Sequence, residues 1–414
     1  MAALVPCLFL LLTGCIKDTC RHFYSYTWFE PLYKTSAEVR ANIKSSPAKP
    51  IGQPGKLVIS GSYIFLNELD KGIHVIDNHD PSAPRNMAFI DIPGNVDIAI
   101  RGTTLYADLY TDLVVLDISD PLHVVRKNII SSVFPQRFYG GGNLSSDSGE
   151  IIYDWKRHDT TITEQCADLS TRIPSGIYYA DASTSVQNGG SLSNPTGITG
   201  SMSRFAIVND YLYTVDDMYL NVFDIQAPVN PVYKGQSQVD YHVETLYPVK
   251  EKLFVGSNNG TFIYDVSASP EAPSRVGEFT HARQCDPVIA DDSFAYVTLH
   301  SGTACLGFNN ELDIVRLNDY TNAALLKVYP LESPQGLSLD QGLLFICDGS
   351  AGLKVFDASG VPNLRLIRQF GNMNAYDVIA WNHVAVVVAT DGIYEFDYSD
   401  INNIRSVGKI NIAN

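Results

Sequence analysis

Five residues near the middle of the chain combine the side chains that hold metal ions. His242, Glu244, His281, Asp286 and His300 supply imidazole and carboxylate donors. Their spacing is not a compact ligand motif such as HExxH, so they read first as separate surface residues and only second as a metal site. A second set, Lys56, Asp97, Arg204, Glu244, Asp286 and Asp377, recurs at intervals near forty residues once an insertion is allowed for. Four acids and two bases brought into one ring would seal a channel mouth by mutual salt bridges, or would offer a polar site for an ion or small ligand. Salt bridging is the simpler expectation, and no cofactor is expected beyond the option of a metal ion. Cys285 and Cys305 approach the rim of one repeat and are the candidate disulfide, a link worth about 3 kcal/mol in the chain-entropy model. Cys347 sits mid-strand and is expected to pack as a small hydrophobe. Cys20 and Cys166 could pair or stay free. No GxSxG elbow, P-loop or GxGxxG opening a helix is present, and the glycines at 140–142 precede no helical pattern.

The elements that must position these residues follow from self-similarity. LVVLD (113–117), LNVFD (220–224), LKVFD (353–357) and IYEFD (393–397) are variants of one strand, joined by IHVID (73–77) and TFIYD (261–265). LDIVR (312–316) fills the same slot with Arg316 in place of the acid. Asp77, Asp117, Asp224, Asp265, Arg316, Asp357 and Asp397 therefore mark a period near forty residues with two insertions. Each period holds four short strands, the third ending in Asp before a turn rich in Pro, Asp and Ser. Four antiparallel strands per forty residues predict an all-β fold, a β-propeller of seven four-stranded blades, with eight or six as alternatives. The repeated Asp is expected to cap its turn through local backbone bonds, a better reading than calcium binding. The aligned starts of the first strands are Lys56, Asp97, Arg204, Glu244, Asp286, Gly336 and Asp377. The last unit supplies its own fourth strand, KINI (409–412), unless VRANI (39–43) pairs there.

Two insertions, 131–203 and 299–310, map to one face of such a ring, the usual layout of a binding surface on a rigid scaffold. The first is read as an elaborated loop in which 150–165 could form one hairpin. The sequence before the ring divides into an apolar leader (1–15) and a tether (16–50), ahead of a single propeller domain (51–414). The tether's aromatic cluster, including Tyr26, Trp28, Phe29 and Tyr33, is expected to pack on the domain. No later segment reaches transmembrane length. With 45 acidic against 29 basic residues, a net charge of -16, the chain lacks the basic footprint of a nucleic-acid binder.

The apolar run 2–12 ends in Leu12-Thr13-Gly14-Cys15, which resembles the lipobox of bacterial lipoproteins, although no Lys or Arg precedes the run. The resemblance implies a lipidated Cys15 and a chain held to a membrane through acyl chains alone. GLKVFD and LVVLDISDP resemble the LVIVD repeat found in propeller proteins of bacterial cell surfaces, and the leader, tether and first repeat together look like lipoproteins of this type in Bacteroidetes. The resemblance spans about residues 33–414 and brings no reaction with it. It implies an exported protein, lipid-anchored at the outer membrane or cell surface of a bacterium. The functional expectation is a non-enzymatic binding scaffold for a protein or glycan partner, using the loop-elaborated face. One alternative is an enzyme with a polar or metal-assisted site at the channel mouth. Another is a structural subunit of an envelope complex.

Overall fold

In the computed structural model, seven four-stranded antiparallel sheets stand around one axis. The structure describes residues 21–134, 138–139, 142–143, 150–165, 197–280, 287–301 and 309–412. The blades span 54–91, 98–130, 205–238, 243–280, 288–330, 337–370 and 375–411, each meandering outward from an innermost first strand. First strands of successive blades lie beside one another. The chain is thus a seven-bladed propeller.

The third strands explain why the repeat is so legible. Val114 and Leu116 pack with Val75 of blade 1, whereas Leu113 and Val115 pack with Leu212 and Phe223 of blade 3. Both faces of the strand are buried, so it reads as a nearly continuous apolar run rather than an alternation. The Asp at its end caps the next turn. Asp117 accepts from Ser119 N at 2.9 Å, and Asp357 and Asp397 accept both N and Oγ of Ser359 and Ser399. The second carboxyl oxygen then takes a base from the fourth strand, as in Asp77–Arg85, Asp357–Arg365 and Asp397–Arg405 at 2.7–2.8 Å. In blade 5, where Arg316 replaces the acid, Asp319 takes the turn by bonding Thr321 and Asn322. Between blades, tyrosine hydroxyls donate to carbonyls of the next blade: Tyr106 to Pro228, Tyr213 to Pro270, Tyr329 to Pro362 and Tyr376 to Pro54, at 2.8–3.0 Å.

Blade closure follows the first of the two readings of the sequence, whereas the segments before and between the blades depart from expectation. Residues 39–43 do not close the ring. Ser36–Ala41 is a helix capped by Thr35, and Lys44–Pro47 pairs with the outer strand of blade 1. Blade 7 completes itself with Arg405–Asn411, so blades 7 and 1 meet without exchanging a strand. Residues 150–165 are not a hairpin. They form one long strand, Glu150–Gln165, paired with Arg21–Thr35 from the stretch expected as a tether. The aromatic cluster therefore builds a two-stranded ribbon instead of packing on the propeller. The Trp28 ring stacks on His158 with centroids 4.3 Å apart, and its Nε1 donates to Thr160. The base of the ribbon, Ile151 and Ile152, joins the core of blades 1 and 2. Among the described residues no helix is long and apolar enough to cross a membrane.

Candidate functional site at the channel mouth

The innermost strands carry Lys56, Glu244 and Asp377, with Asp97 and Arg204 immediately before theirs, and the rim they form is unevenly built. Lys56 Nζ lies 2.6 Å from Asp97 Oδ2, and both side chains are almost fully buried. Burial lowers the Lys56 pKa to about 8, against the pull of Asp97, and the nearby Arg204 pushes the same way as burial. Asp97 also accepts from Ile98 N, Ser203 Oγ and Arg204 N, so its carboxylate is surrounded by donors. Beside it, Asn95 donates to Asp97 O and to Asp108 Oδ1, and Asn67 donates to Asn95. Glu68 receives Gly52 N, Gln53 N, Lys71 and His74. Burial would raise its carboxyl, yet these bonds hold it at about 2. The mouth of blades 1 and 2 is a packed polar network bonded largely from within, with Asn67 Oδ1 buried and left without a partner.

Across the ring, Asp377 is buried and accepts from Val378 N. It lies against Gly336, where an added Cβ would fall 2.5 Å from its Oδ1. Glu244 is half-buried in a bulge between Val243 and Thr245. His242 is exposed, with Nδ1 3.1 Å from Asp217. His300 is half-buried, and burial holds its imidazole below the ordinary value. Among the described residues no three His, Cys, Asp or Glu side chains gather in a way that could hold a metal ion. His281, Asp286, Cys285 and Cys305 lie outside the described residues, as do Cys15, Cys20 and Cys166. Cys347 is buried and its thiol is free, with burial pushing its pKa up.

Sequence reasoning missed what occupies the axis. Residues 197–203 run along the inner strands. Gly197 N bonds Ile100 O, and Ile198–Thr199 pairs with the innermost strand of blade 1. Ser201 Oγ accepts from Leu337 N of blade 6, Met202 lies against Gly336, and Ser203 O accepts from Leu246 N of blade 4. A segment bonded to the first strands of blades 1, 2, 4 and 6 passes through the middle of the ring. Ser201, Met202 and Ser203 are at most 3% exposed, so the axis is filled by the protein's own chain. No pattern in the small, polar GITGSMS sequence could have signalled this. A cleft of about 300 Å³ does open elsewhere, between the outer strand of blade 4 and the face of blade 5, lined by Glu278, Phe279, Asp313, Val315 and Leu325.

A ring of seven blades with a plugged axis belongs to the β-propeller class, and solved structures agree. A protein from Lactobacillus plantarum is similar at TM-score 0.50 and 11% identity, covering 87% of this chain and 97% of that one. A putative 6-phosphogluconolactonase from Bacteroides uniformis gives TM-score 0.53 at 10% identity, covering 90% and 97%. The periplasmic gluconolactonase of Pseudomonas aeruginosa gives TM-score 0.53 at 11% identity, covering 87% and 97%. At such identities the likeness is one of fold alone. More particularly, residues 51–90, 95–130 and 199–239 match the LVIVD repeat, and these stretches fall in the first three of the seven blades. No curated protein matches the chain.

Proposed function

We propose that the protein is a non-enzymatic binding scaffold, presented outside the cell through a lipidated Cys15, that engages a protein or glycan partner on its loop-bearing face. The observation that carries this reading is the filled axis. In a propeller the channel mouth is the natural place for a small-molecule site, and here Ser201, Met202 and Ser203 occupy it while Lys56, Asp97 and Asp377 are committed to internal bonds. Recognition then falls to the exposed rim, where Tyr241 is 60% exposed beside His242 and Asp217. An exposed tyrosine flanked by polar groups suits stacking on a sugar or burial in a protein contact. The acidic balance disfavours nucleic acid.

The test combines a glycan array with a pull-down from envelope extracts, using folded protein and a Tyr241→Ala variant. A partner captured by the parent protein and lost by the variant is the expected result. Blank results in both assays with folded protein would remove the reading. Radiolabelled palmitate incorporation that disappears in Cys15→Ser checks the anchor separately.

A further inference from the structure

Glu395 stands where every other blade places an aliphatic residue. Counting back from the end of the third strand, its counterparts are Val75, Val115, Val222, Ile263, Ile314 and Val355. Val75 and Val355 each pack against the following blade, and Glu395 in the same slot of blade 7 faces blade 1. It is 0% exposed, its carboxyl oxygens make no hydrogen bond of full geometry among the described residues, and the amide of Asn78 is the polar group within reach. In its sheet it sits between Val386 and Gly408, and Val386 and Ile393 belong to the apolar layer shared with Leu57, Ile64, Leu66 and Ile76 of blade 1. The polar side chain that acts on it is Asn78, at the turn after the third strand of blade 1.

This seam differs from the other six. It joins the two ends of the ring, and unlike the others it has no direct chain connection from one blade to the next. Side-chain packing holds it, together with Ile51 from the segment leading into blade 1 and the bond from Tyr376 to Pro54. The other titratable groups on the facing elements are engaged elsewhere. His74 bonds Glu68 and Asn86, Lys49 pairs with Asp91, Asp77 with His79 and Arg85, and Asp377 with Val378 N. None of them contributes a charge that acts on Glu395.

We propose that the blade 7–blade 1 seam is a pH-responsive closure, tight while Glu395 carries its proton and loosened when the carboxyl ionises and draws water into an apolar layer. A buried carboxylate without a counter-charge is costly, whereas the protonated acid is tolerated. Burial raises the Glu395 pKa from 4.5 to about 8. A raised folded-state value means that the closed seam is favoured in full below the open-state pKa and that this advantage is lost as pH rises toward the folded one. Between those values each pH unit changes the opening equilibrium by about tenfold, and the dependence levels off above them.

Hydrogen exchange followed by mass spectrometry, corrected for intrinsic rates, tests this on the full protein from about pH 6 to pH 9. Peptides from 54–78 and 384–411 should lose protection by about tenfold per unit up to about pH 8, while peptides at the blade 3–blade 4 seam hold theirs. Glu395→Gln, nearly isosteric, and Glu395→Val, the aliphatic counterpart in other blades, should both abolish the dependence. Equal pH dependence at both seams, or a dependence that survives in either folded variant, would overturn the proposal.

Discussion

Lys56 and Asp97, from the first strands of adjacent blades, form an ion pair at 2.6 Å that is sealed from solvent by the chain segment crossing the axis. Such a pair contributes little net stability against an apolar replacement, yet removing one partner strands the other. Asp97→Ala leaves Lys56 without its counter-charge and also takes the acceptor from Ser203 and Arg204 N. We expect a loss of about 3–5 kcal/mol in urea unfolding, with Lys56→Met costing less because Asp97 keeps its backbone donors. The pH sign is also defined. Lys56 has a folded value near 8 against 10.5, so the folded state resists its charge. The resulting penalty is full below about 8 and is relieved as pH rises toward 10.5. Lys56→Met should flatten that rising limb. An alkaline profile identical to the parent's would refute the assignment.

The occupied axis makes its own prediction. Ser201 Oγ is the acceptor for Leu337 N, a fully buried contact. Ser201→Ala leaves that amide unsatisfied and should cost about 1–3 kcal/mol. Gly336→Ala places a methyl 2.5 Å from Asp377 Oδ1 and 2.9 Å from Met202 Sδ, so the segment or the acid must move, at about 1–3 kcal/mol. Because both changes act on one plug, their effects should be less than additive in a double-mutant cycle. Independent addition would mean that the segment is not a shared element.

How far the sequence shows this architecture depends on what each strand touches. The third strands bury both faces and end in a capped turn, so LVVLD and its relatives repeat almost unchanged and the blade count follows. Lys56, Asp97 and Asp377 could be aligned for the same reason, since first strands begin at matched points. The ribbon was not, because Trp28 meets His158 from 130 positions away and neither strand belongs to the repeat. Ser201 and Met202 were invisible because a segment lying along the axis needs only to be small and to offer backbone bonds. Glu395 did carry a signal, a charged residue in a slot that is Val or Ile in the six other blades.

The capped turns predict the acid limb of stability. Asp77 and Asp357 are held at about 2, chiefly by side-chain bonds from His79 and Ser359 respectively, then by backbone N–H groups and Arg85 or Arg365. Lowered folded values mean that their contribution is present above the unfolded value of 3.8 and lost as pH falls through about 2. Asp77→Asn with Asp357→Asn should therefore lower Tm at pH 7 and leave it nearly unchanged at pH 2. Thermal scans showing the same loss at both pH values would assign the effect to packing rather than to charge.

The interblade tyrosines offer a graded test of how the ring is held. Tyr106 and Tyr213, which are buried, and Tyr329 and Tyr376, which are half-buried, each hand one hydroxyl to the next blade, at Pro228, Pro270, Pro362 and Pro54. Tyr→Phe keeps the apolar ring and removes the donor, so each should cost about 1 kcal/mol. Tyr106 and Tyr213 serve seams that chain connectivity already holds together, so their effects should add within the error of well-separated sites. Tyr376→Phe acts where the chain ends meet and no strand crosses. Its effect should couple to Glu395→Val, which restores aliphatic packing to the same seam. The prediction is that Glu395→Val offsets much of the Tyr376→Phe loss at pH 8 and little of it at pH 5, where Glu395 is already neutral. Equal rescue at both pH values would show that the two residues act on stability without sharing the closure.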